Sequence, residues 1–172
     1  MFRAFTLIEL LTAFTVVVIS LYFISPTIFR IQENILLHQE IDQIKTFLYQ
    51  VQSHSRYAKK HYSLTVSQRE EEKKWCMIAI EKSYSKQRVC DCFNLPSCNI
   101  SSHYYVYHNI HPQIQLKSNS LYPRAFIDID GRSARLSPKC LDMRTNHARE
   151  IIQFDQNGVV NVVQEQKRST CR

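Results

Sequence analysis

The fold is decided near the N-terminus by the stretch Phe5-Thr6-Leu7-Ile8-Glu9-Leu10-Leu11, which opens an apolar run that continues to Phe29. A short basic leader containing Arg3 precedes it. The segment from Phe5 to Ser25 is as long as the roughly 20 residues that a helix needs to cross a bilayer. Because positively charged flanks stay on the cytoplasmic side, we expect the rest of the chain to lie outside.

Glu9 is the unusual residue of this segment. An acidic side chain at the centre of a membrane helix costs roughly 2.5 to 3.5 kcal/mol on translocon-type scales. Such a group is tolerated when it lies protonated near the interface, or when a cationic partner meets it. In the first case Glu9 has no binding role, and in the second it binds a cation.

The composition limits the classes of function. A chain of 172 residues fits one globular domain with an appendage. Its net charge of +7 favours nucleic acid, anionic lipid or an acidic protein surface as partner, although an ordinary basic surface gives the same value. Gly131 and Gly158 are its 2 glycines, so a glycine-rich phosphate loop is not expected.

No catalytic constellation is recognisable in the sequence. No serine lies in a G-x-S-x-G elbow, and the spacing of cysteines and histidines fits no nucleophile pattern. We therefore expect a protein that is not an enzyme and that uses no cofactor.

The N-terminal stretch resembles the class III signal of type IV pilins and of the pseudopilins of type II secretion. In that family a prepilin peptidase cuts before the phenylalanine and methylates its new amine. The resemblance implies cleavage between Ala4 and Phe5, with N-methylation of Phe5. Pro26 takes the place of the helix-kinking proline of the family. The family prefers glycine before the cut, where this chain has Ala4.

The same resemblance implies an assembly role for Glu9 and Pro26. Glu9 becomes the fifth residue after cleavage, and its carboxylate can pair with the freed amine of Phe5 on its own or a neighbouring subunit. In a low dielectric that pair is strong and sets the axial register between helices.

Location and partners are also implied by the resemblance. The chain is expected to be a single-pass protein of the bacterial inner membrane with its head in the periplasm, before it enters a pilus or pseudopilus. Its partners are then other major and minor pilins, the prepilin peptidase and the inner-membrane assembly platform. The machine served is competence DNA uptake, pilus biogenesis or type II secretion.

We divide the chain into a leader (1–4), a transmembrane and assembly helix segment (5–29), an amphipathic continuation (30–60) and a β-rich, disulfide-stabilised head (61–172). The continuation carries an apolar stripe at helical spacing, with Glu33 and Glu40 assigned to its polar face. The stripe packs on the chain's own sheet or forms a coiled coil. Its members are Leu37, Ile41, Ile44, Leu48 and Val51. The predicted fold is α+β, a long pilin helix packed on an antiparallel β-sheet head.

Alternating, aromatic or continuously apolar stretches predict the strands of the head. Tyr62–Val66 and Trp75–Ile80 are expected to form a hairpin. Asn157-Gly158 predicts a type I′ turn between Glu150–Phe154 and Val159–Val163. Further strands are expected at Tyr104–Tyr107, around Ile114 and Leu116, at Ala125–Ile129, and returning at Ala134 and Leu136. The tyrosines of Tyr104–Tyr107 are half-buried in a sheet or stack nucleic-acid bases.

The cysteine count of 6 favours disulfide bonds if the head lies in an oxidising compartment. The candidates are Cys76, Cys90, Cys92, Cys98, Cys140 and Cys171. A zinc site at Cys90, Cys92 and Cys98 is the alternative, but a C-x-C pair lacks the usual ligand spacing.

The order of long helix, hairpin and β-rich half resembles minor pilins and pseudopilins of the FimT/GspH type. In FimT-like members, a Gly-Arg-x-Arg element near the last strand is associated with DNA binding. Here Gly158 is followed by Val159-Val160-Asn161, and the longer Gly131-Arg132-Ser133-Ala134-Arg135 lies one hairpin earlier. A DNA receptor of a competence pilus is therefore a second hypothesis, and an ordinary solvated face is its alternative. The candidate DNA-binding residues are Arg132, Arg135, Lys139, Arg144, Arg149, Lys167, Arg168 and Arg172.

Overall fold

The computed structural model describes residues 6–82, 88–98, 100 and 103–164. Within this part of the chain, one long helix is followed by eight strands and a short 3-10 helix, Leu95–Ser97. The predicted α+β class is confirmed. The elements are α1 (Leu7–Ala58), β1 (His61–Arg69), β2 (Lys74–Lys82), β3 (Tyr104–His108), β4 (Gln115–Lys117), β5 (Ala125–Ile129), β6 (Lys139–Arg144), β7 (Arg149–Phe154) and β8 (Val160–Gln164).

Helix α1 runs without interruption from Leu7 to Ala58, across the boundary at residues 29 and 30 between the two predicted segments. It begins after Thr6, whose backbone is extended, and continues through Pro26. It ends at Lys59, which takes the left-handed conformation with φ 54° and donates its N–H to the Ser55 carbonyl. A left-handed residue at this point satisfies a terminal carbonyl and turns the chain into β1.

The apolar stripe of α1 packs on the chain's own sheets, as predicted, and not in a coiled coil. Its five members, from Leu37 to Val51, are each at most 1% exposed. They share one core with residues of both sheets, including Trp75, Phe126 and Phe154. The helix therefore contributes to the apolar core of the head only from Leu37 onward.

The head contains two antiparallel sheets of four strands, where one sheet was expected. The first has the order β3-β2-β1-β5 and the second the order β4-β6-β7-β8. The predicted hairpin of β1 and β2 is confirmed, with both strands longer than predicted and pairing from His61–Lys82 to Arg69–Lys74. Its turn closes through the Lys73 N–H, which donates to the Glu70 carbonyl at 3.2 Å.

The first sheet is buried on both faces. One face meets the core with α1, and the other carries Cys76, Ile78 and Ile80 of β2. The loop after β2 covers this second face with Cys90 and Cys92, and with partly buried apolar side chains that include Phe93. Burial on both faces explains the near-continuous apolar run of β2.

Disulfide bonds hold that covering loop in place. Cys76 is joined to Cys92, and Cys90 to Cys98, with Cα atoms 6.1 and 5.5 Å apart. Cys140 is disulfide-bonded as well, whereas Cys171 lies outside the described residues. A metal at Cys76, Asp91 and Cys92, whose ligand atoms lie within 4.8 Å, would need the two sulfurs that the first bond consumes.

Strand β6 was not predicted from the sequence. Only Leu141 and Met143 of this strand face the core, so its apolar signal is two residues long. The return strand expected at Ala134 and Leu136 is wrong, because Leu136 forms only an isolated bridge to Ile129. The chain instead closes a tight turn in which Ala134, with φ 53°, donates its N–H to the Asp130 carbonyl.

The hairpin of β7 and β8 is confirmed, but its type I′ turn is wrong. Such a turn needs positive φ at both central residues, and here Gly158 has φ 84° while Asn157 does not. The Gly158 N–H donates to the Asp155 carbonyl at 3.0 Å, and the Asp155 N–H to the Val159 carbonyl at 2.9 Å. The turn is therefore one residue longer, with the glycine at its bulge.

Candidate functional site

The N-terminal half of α1 exposes apolar side chains on all its faces. It contains a strongly apolar stretch of 18 residues, none of which is buried against the described part of the chain. It is the one helix in the described part of the chain that is long and apolar enough to cross a membrane. Leu7, Phe14 and Phe23 are each at least two-thirds exposed, so this half needs lipid or other helices around it.

Three hydroxyl groups of this half are satisfied within the helix. Thr12 donates to the Glu9 carbonyl at 3.0 Å, Thr15 to the Thr12 carbonyl at 2.8 Å, and Ser20 to the Val16 carbonyl at 2.8 Å. Internal bonding of this kind suits a segment that meets no water. These hydroxyls therefore add little cost to burial in an apolar environment.

Glu9 differs from these hydroxyls. It lies in the first turn of α1, is exposed, and its carboxylate meets no donor among residues 6–82, 88–98, 100 and 103–164. The predicted cleavage site, Ala4 and Phe5, lies outside the described residues. The Glu9 carboxylate can therefore form an ion pair with a cation from another group.

Pro26 lies inside α1, between Glu9 and the first buried residue, Leu37. A proline has no N–H, so the carbonyl of Tyr22, four residues earlier, lacks its usual intrahelical donor. One backbone hydrogen bond is therefore missing where the exposed half of the helix approaches the head.

Glu40 fastens the helix to the loop between β3 and β4. Its carboxylate is fully buried and accepts hydrogen bonds from the Tyr107 hydroxyl at 2.8 Å, the Ile110 N–H at 3.1 Å and the His111 N–H at 3.2 Å. Burial, and then the hydrogen bond to this carboxylate, raise the pKa of the Tyr107 phenol. The bound carboxylate thus fixes three groups of the head to the helix.

The assignment of Glu40 to the polar face of the helix was wrong. A signal was present in the spacing, because position 40 follows Leu37 by three residues and precedes Ile44 by four, which puts it within the apolar stripe. Glu40 was placed on the polar face because glutamate is a charged residue, although its spacing puts it on the apolar face.

Two further polar contacts connect the helix with turns of the head. Glu33 accepts from the His147 N–H at 3.1 Å and lies 3.0 Å from its ring Nδ1. The side-chain hydrogen bond with His147 is the main cause that lowers the pKa of Glu33. The Gln52 amide donates to the carbonyls of Gly158 at 3.0 Å and Ala134 at 3.4 Å.

Gly131 packs where no side chain fits. A Cβ atom at this residue would lie 2.5 to 2.7 Å from three backbone atoms of Lys60, just after the helix. The Asp130-Gly131 pair therefore serves close packing of the turn against the end of α1, and Gly131 does not use a positive φ.

Tyr105 and Tyr107 of β3 lie half-buried in the sheet, whereas Tyr104 is exposed. The Tyr107 ring is 5.8 Å from the rings of both Phe47 and Trp75, and the Tyr105 ring is 6.0 Å from that of Tyr62. Desolvation by burial raises the pKa of Tyr62 to about 12. Tyr105 and Tyr107 are committed to these contacts, which supports the packing alternative over base stacking.

Part of the predicted basic surface comes together on the outer face of the second sheet. Arg144 and Arg149 face each other across β6 and β7 and both pair with Asp142, at 2.8 and 2.9 Å. Burial raises the pKa of Asp142, but the hydrogen bonds from Arg149 and Arg144 outweigh it and hold the pKa below its usual value. Asp142 therefore stays ionised and neutralises part of the positive charge.

A cleft of about 540 Å³ lies beside this arginine pair. Lys139 also lines it and donates to the Ser120 hydroxyl at 2.6 Å. Lys117 of β4 adds a charge that the sequence analysis did not include. Arg132 and Arg135 do not line this cleft. Three other candidates lie outside the described residues, namely Lys167, Arg168 and Arg172.

No protein-family model, no curated protein and no solved structure matches this chain.

Proposed function

We propose that this protein is a minor pilin or pseudopilin subunit that assembles into, primes or caps a type IV pilus-like filament. The observation that carries the proposal is the two-part helix α1. Its apolar first half is wholly exposed, and its second half is buried in a β-rich head. This arrangement suits a subunit held first by a membrane and then by the helices of its neighbours.

Glu9 supports the same proposal. A carboxylate with no partner among the described residues is costly in lipid, and a cation from a neighbouring subunit removes that cost. In the resembled family that cation is the amine freed at Phe5. The pair then selects one axial position for each entering helix, because a shifted helix leaves the carboxylate buried and unpaired.

Replacement of Glu9 by alanine tests the proposal. We expect Glu9→Ala to insert in membranes like the parent chain and to be depleted about tenfold or more from sheared filaments, because alanine lowers the insertion cost but offers no charge. The measurement compares membrane and filament fractions by quantitative blotting, in cells that carry the other filament subunits.

Glu71→Ala is the matched control, since Glu71 is an exposed glutamate in the turn between β1 and β2. It should enter filaments normally. Normal incorporation of Glu9→Ala would refute the assigned role. Intact-mass measurement of the membrane-bound chain adds an independent test, since processing predicts loss of residues 1–4 and a methyl group on Phe5.

A DNA receptor of a competence pilus is the second candidate. It is supported by the cleft at the second sheet, where Lys117, Lys139, Arg144 and Arg149 surround the single acid Asp142. We expect the full chain in detergent to retard duplex DNA in a gel-shift titration, with an affinity that falls steeply as salt rises. No retardation at about 50 mM salt would contradict this role.

A further inference from the structure

Two clefts of the head adjoin each other. The cleft of about 540 Å³ beside Arg144 shares Lys117, Ser118 and Arg144 with a second cleft of about 440 Å³. The second cleft lies between β4 and the turn end of the β1–β2 hairpin, which contributes Gln68, Glu70, Lys73 and Trp75. The two clefts thus meet at these shared residues, and we call them together the β4 groove.

One wall of the groove is a strand with an open edge. Among the described residues, β4 (Gln115–Lys117) pairs only with β6 and is the outer strand of its sheet. Just before it, the Ile114 carbonyl is occupied by the Trp75 indole N–H at 3.1 Å. The backbone of β4 itself thus presents an edge to the groove, and such an edge pairs readily with another extended chain.

The groove is positively charged around that edge. Five basic side chains line it against two acidic ones, Glu70 and Asp142. Lys73 and Lys117 are exposed and form no ion pair with a described residue, so their charges are available to a ligand. The basic members are Lys73, Lys117, Lys139, Arg144 and Arg149.

The floor of the groove is apolar. Trp75, Ile114 and Leu116 are at most 2% exposed, and Leu121 is half-buried beside them. An extended polypeptide points successive side chains to opposite sides. Because Trp75, Ile114 and Leu116 are already covered, one side of the segment can meet only the half-buried Leu121, while the other meets the ammonium and guanidinium groups of the rim.

We propose that the β4 groove binds an extended acidic polypeptide segment of a partner protein. The segment adds a strand to β4 and directs alternate carboxylates to Lys73, Lys117 and Arg144, a mode in which backbone bonds supply affinity and side-chain pockets supply specificity. The inference concerns the head and does not depend on filament assembly.

A nucleic acid fits the same groove less well. Asp142 lies between the two arginines and Glu70 lies at the far end, so a continuous phosphate chain meets a like charge twice. The groove also offers no aromatic face for stacking, since its Trp75 is only 1% exposed. A peptide can place uncharged residues opposite both carboxylates.

The test is a selection from a phage-displayed library of random twelve-residue peptides against the full chain in detergent micelles. We expect enriched peptides with Asp or Glu at alternate positions, and measure their affinity by fluorescence polarisation.

Lys73→Glu and Lys117→Glu should each weaken binding about tenfold, and Asp142→Asn should strengthen it, because each changes the charge next to the ligand. Lys45→Glu, on α1 outside the groove, should change it less than about twofold.

Hydrogen exchange locates the binding. Those amides of Gln115 to Lys117 that point away from β6 should gain protection with the selected peptide, and proline at alternate peptide positions should abolish binding because it removes backbone donors. The proposal is overturned if no acidic peptide is enriched, if protection lies elsewhere, or if both charge reversals leave the affinity unchanged. Displacement of the peptide by a 20-base-pair duplex at lower concentration would favour nucleic acid and also overturn it.

Discussion

At the scale of single residues, the buried carboxylate of Glu40 joins the helix to the head at a point where the stripe is otherwise apolar. It accepts three hydrogen bonds, from Tyr107, Ile110 and His111. A buried charge of this kind is tolerated because every donor around it is directed at the carboxylate. Removal of the charge therefore affects the loop between β3 and β4 as well as the helix.

We expect Glu40→Gln to lower the free energy of unfolding by about 1.5 to 3 kcal/mol, because the side-chain amide replaces one accepting oxygen with a donor that faces a buried N–H. The measurement is urea denaturation of the full chain in detergent, followed by the fluorescence of Trp75, the single tryptophan of the chain.

Glu33→Gln is the control on the same helix. Its contacts with the exposed His147 are replaced by water, so its effect should be much smaller. Equal effects of the two substitutions would show that burial of Glu40 does not matter to stability.

At the scale of elements, the two halves of α1 differ in the surroundings of their apolar side chains. From Leu37 onward the helix is amphipathic and packs on both sheets, whereas the described residues before Glu33 are all exposed. The second half of α1 is therefore part of the head, whereas its first half needs an apolar environment supplied from outside the chain. The boundary lies near Ile35, which is 59% exposed just before the first buried leucine.

We expect Leu48→Ala to destabilise the head by about 2 to 5 kcal/mol, because it removes buried methyl groups and leaves a cavity in a shared core. Ile35→Ala should change the unfolding free energy by less than about 0.5 kcal/mol, since its side chain is largely exposed. Both values come from urea denaturation of the full chain. Similar losses for the two variants would contradict the boundary.

At the scale of the whole molecule, the head is complete without the apolar half of the helix. All buried residues of α1 lie at or after Leu37, and Glu33 is the first helix residue that contacts the head. The two parts are therefore separable in space although they share one helix. This separation lets the apolar half change its surroundings without a change in the fold of the head.

We expect a chain that begins at Arg30 to fold in water without detergent, with an unfolding free energy within about 1 kcal/mol of the full chain. A chain that begins at Lys45 lacks Leu37, Glu40, Ile41 and Ile44 and should fail to fold. Circular dichroism and urea denaturation measure both. Failure of the first chain to fold would show that the apolar half stabilises the head.

The structure confirms those sequence predictions that rest on periodicity. The stripe from Leu37 to Val51 repeats at helical spacing, and the strands β1, β2, β3 and β5 each come from β-prone or apolar runs of at least four residues. Prediction failed where the signal was short or local. Strand β6 has two inward apolar residues, and the conformation of Asn157 depends on the length of its turn.

The sequence alone determined that a membrane-length apolar helix precedes a β-rich head, because the number and period of apolar residues follow directly from the chain. It also singled out Glu9, since one carboxylate in such a run is costly wherever the run folds. Only the tertiary structure decided how Glu40 is bound, how Cys76 and Cys90 pair, and that Lys73 and Lys117 border one groove. These features bring together residues that are distant in the chain, and their proximity is set by the packing of two sheets on one helix.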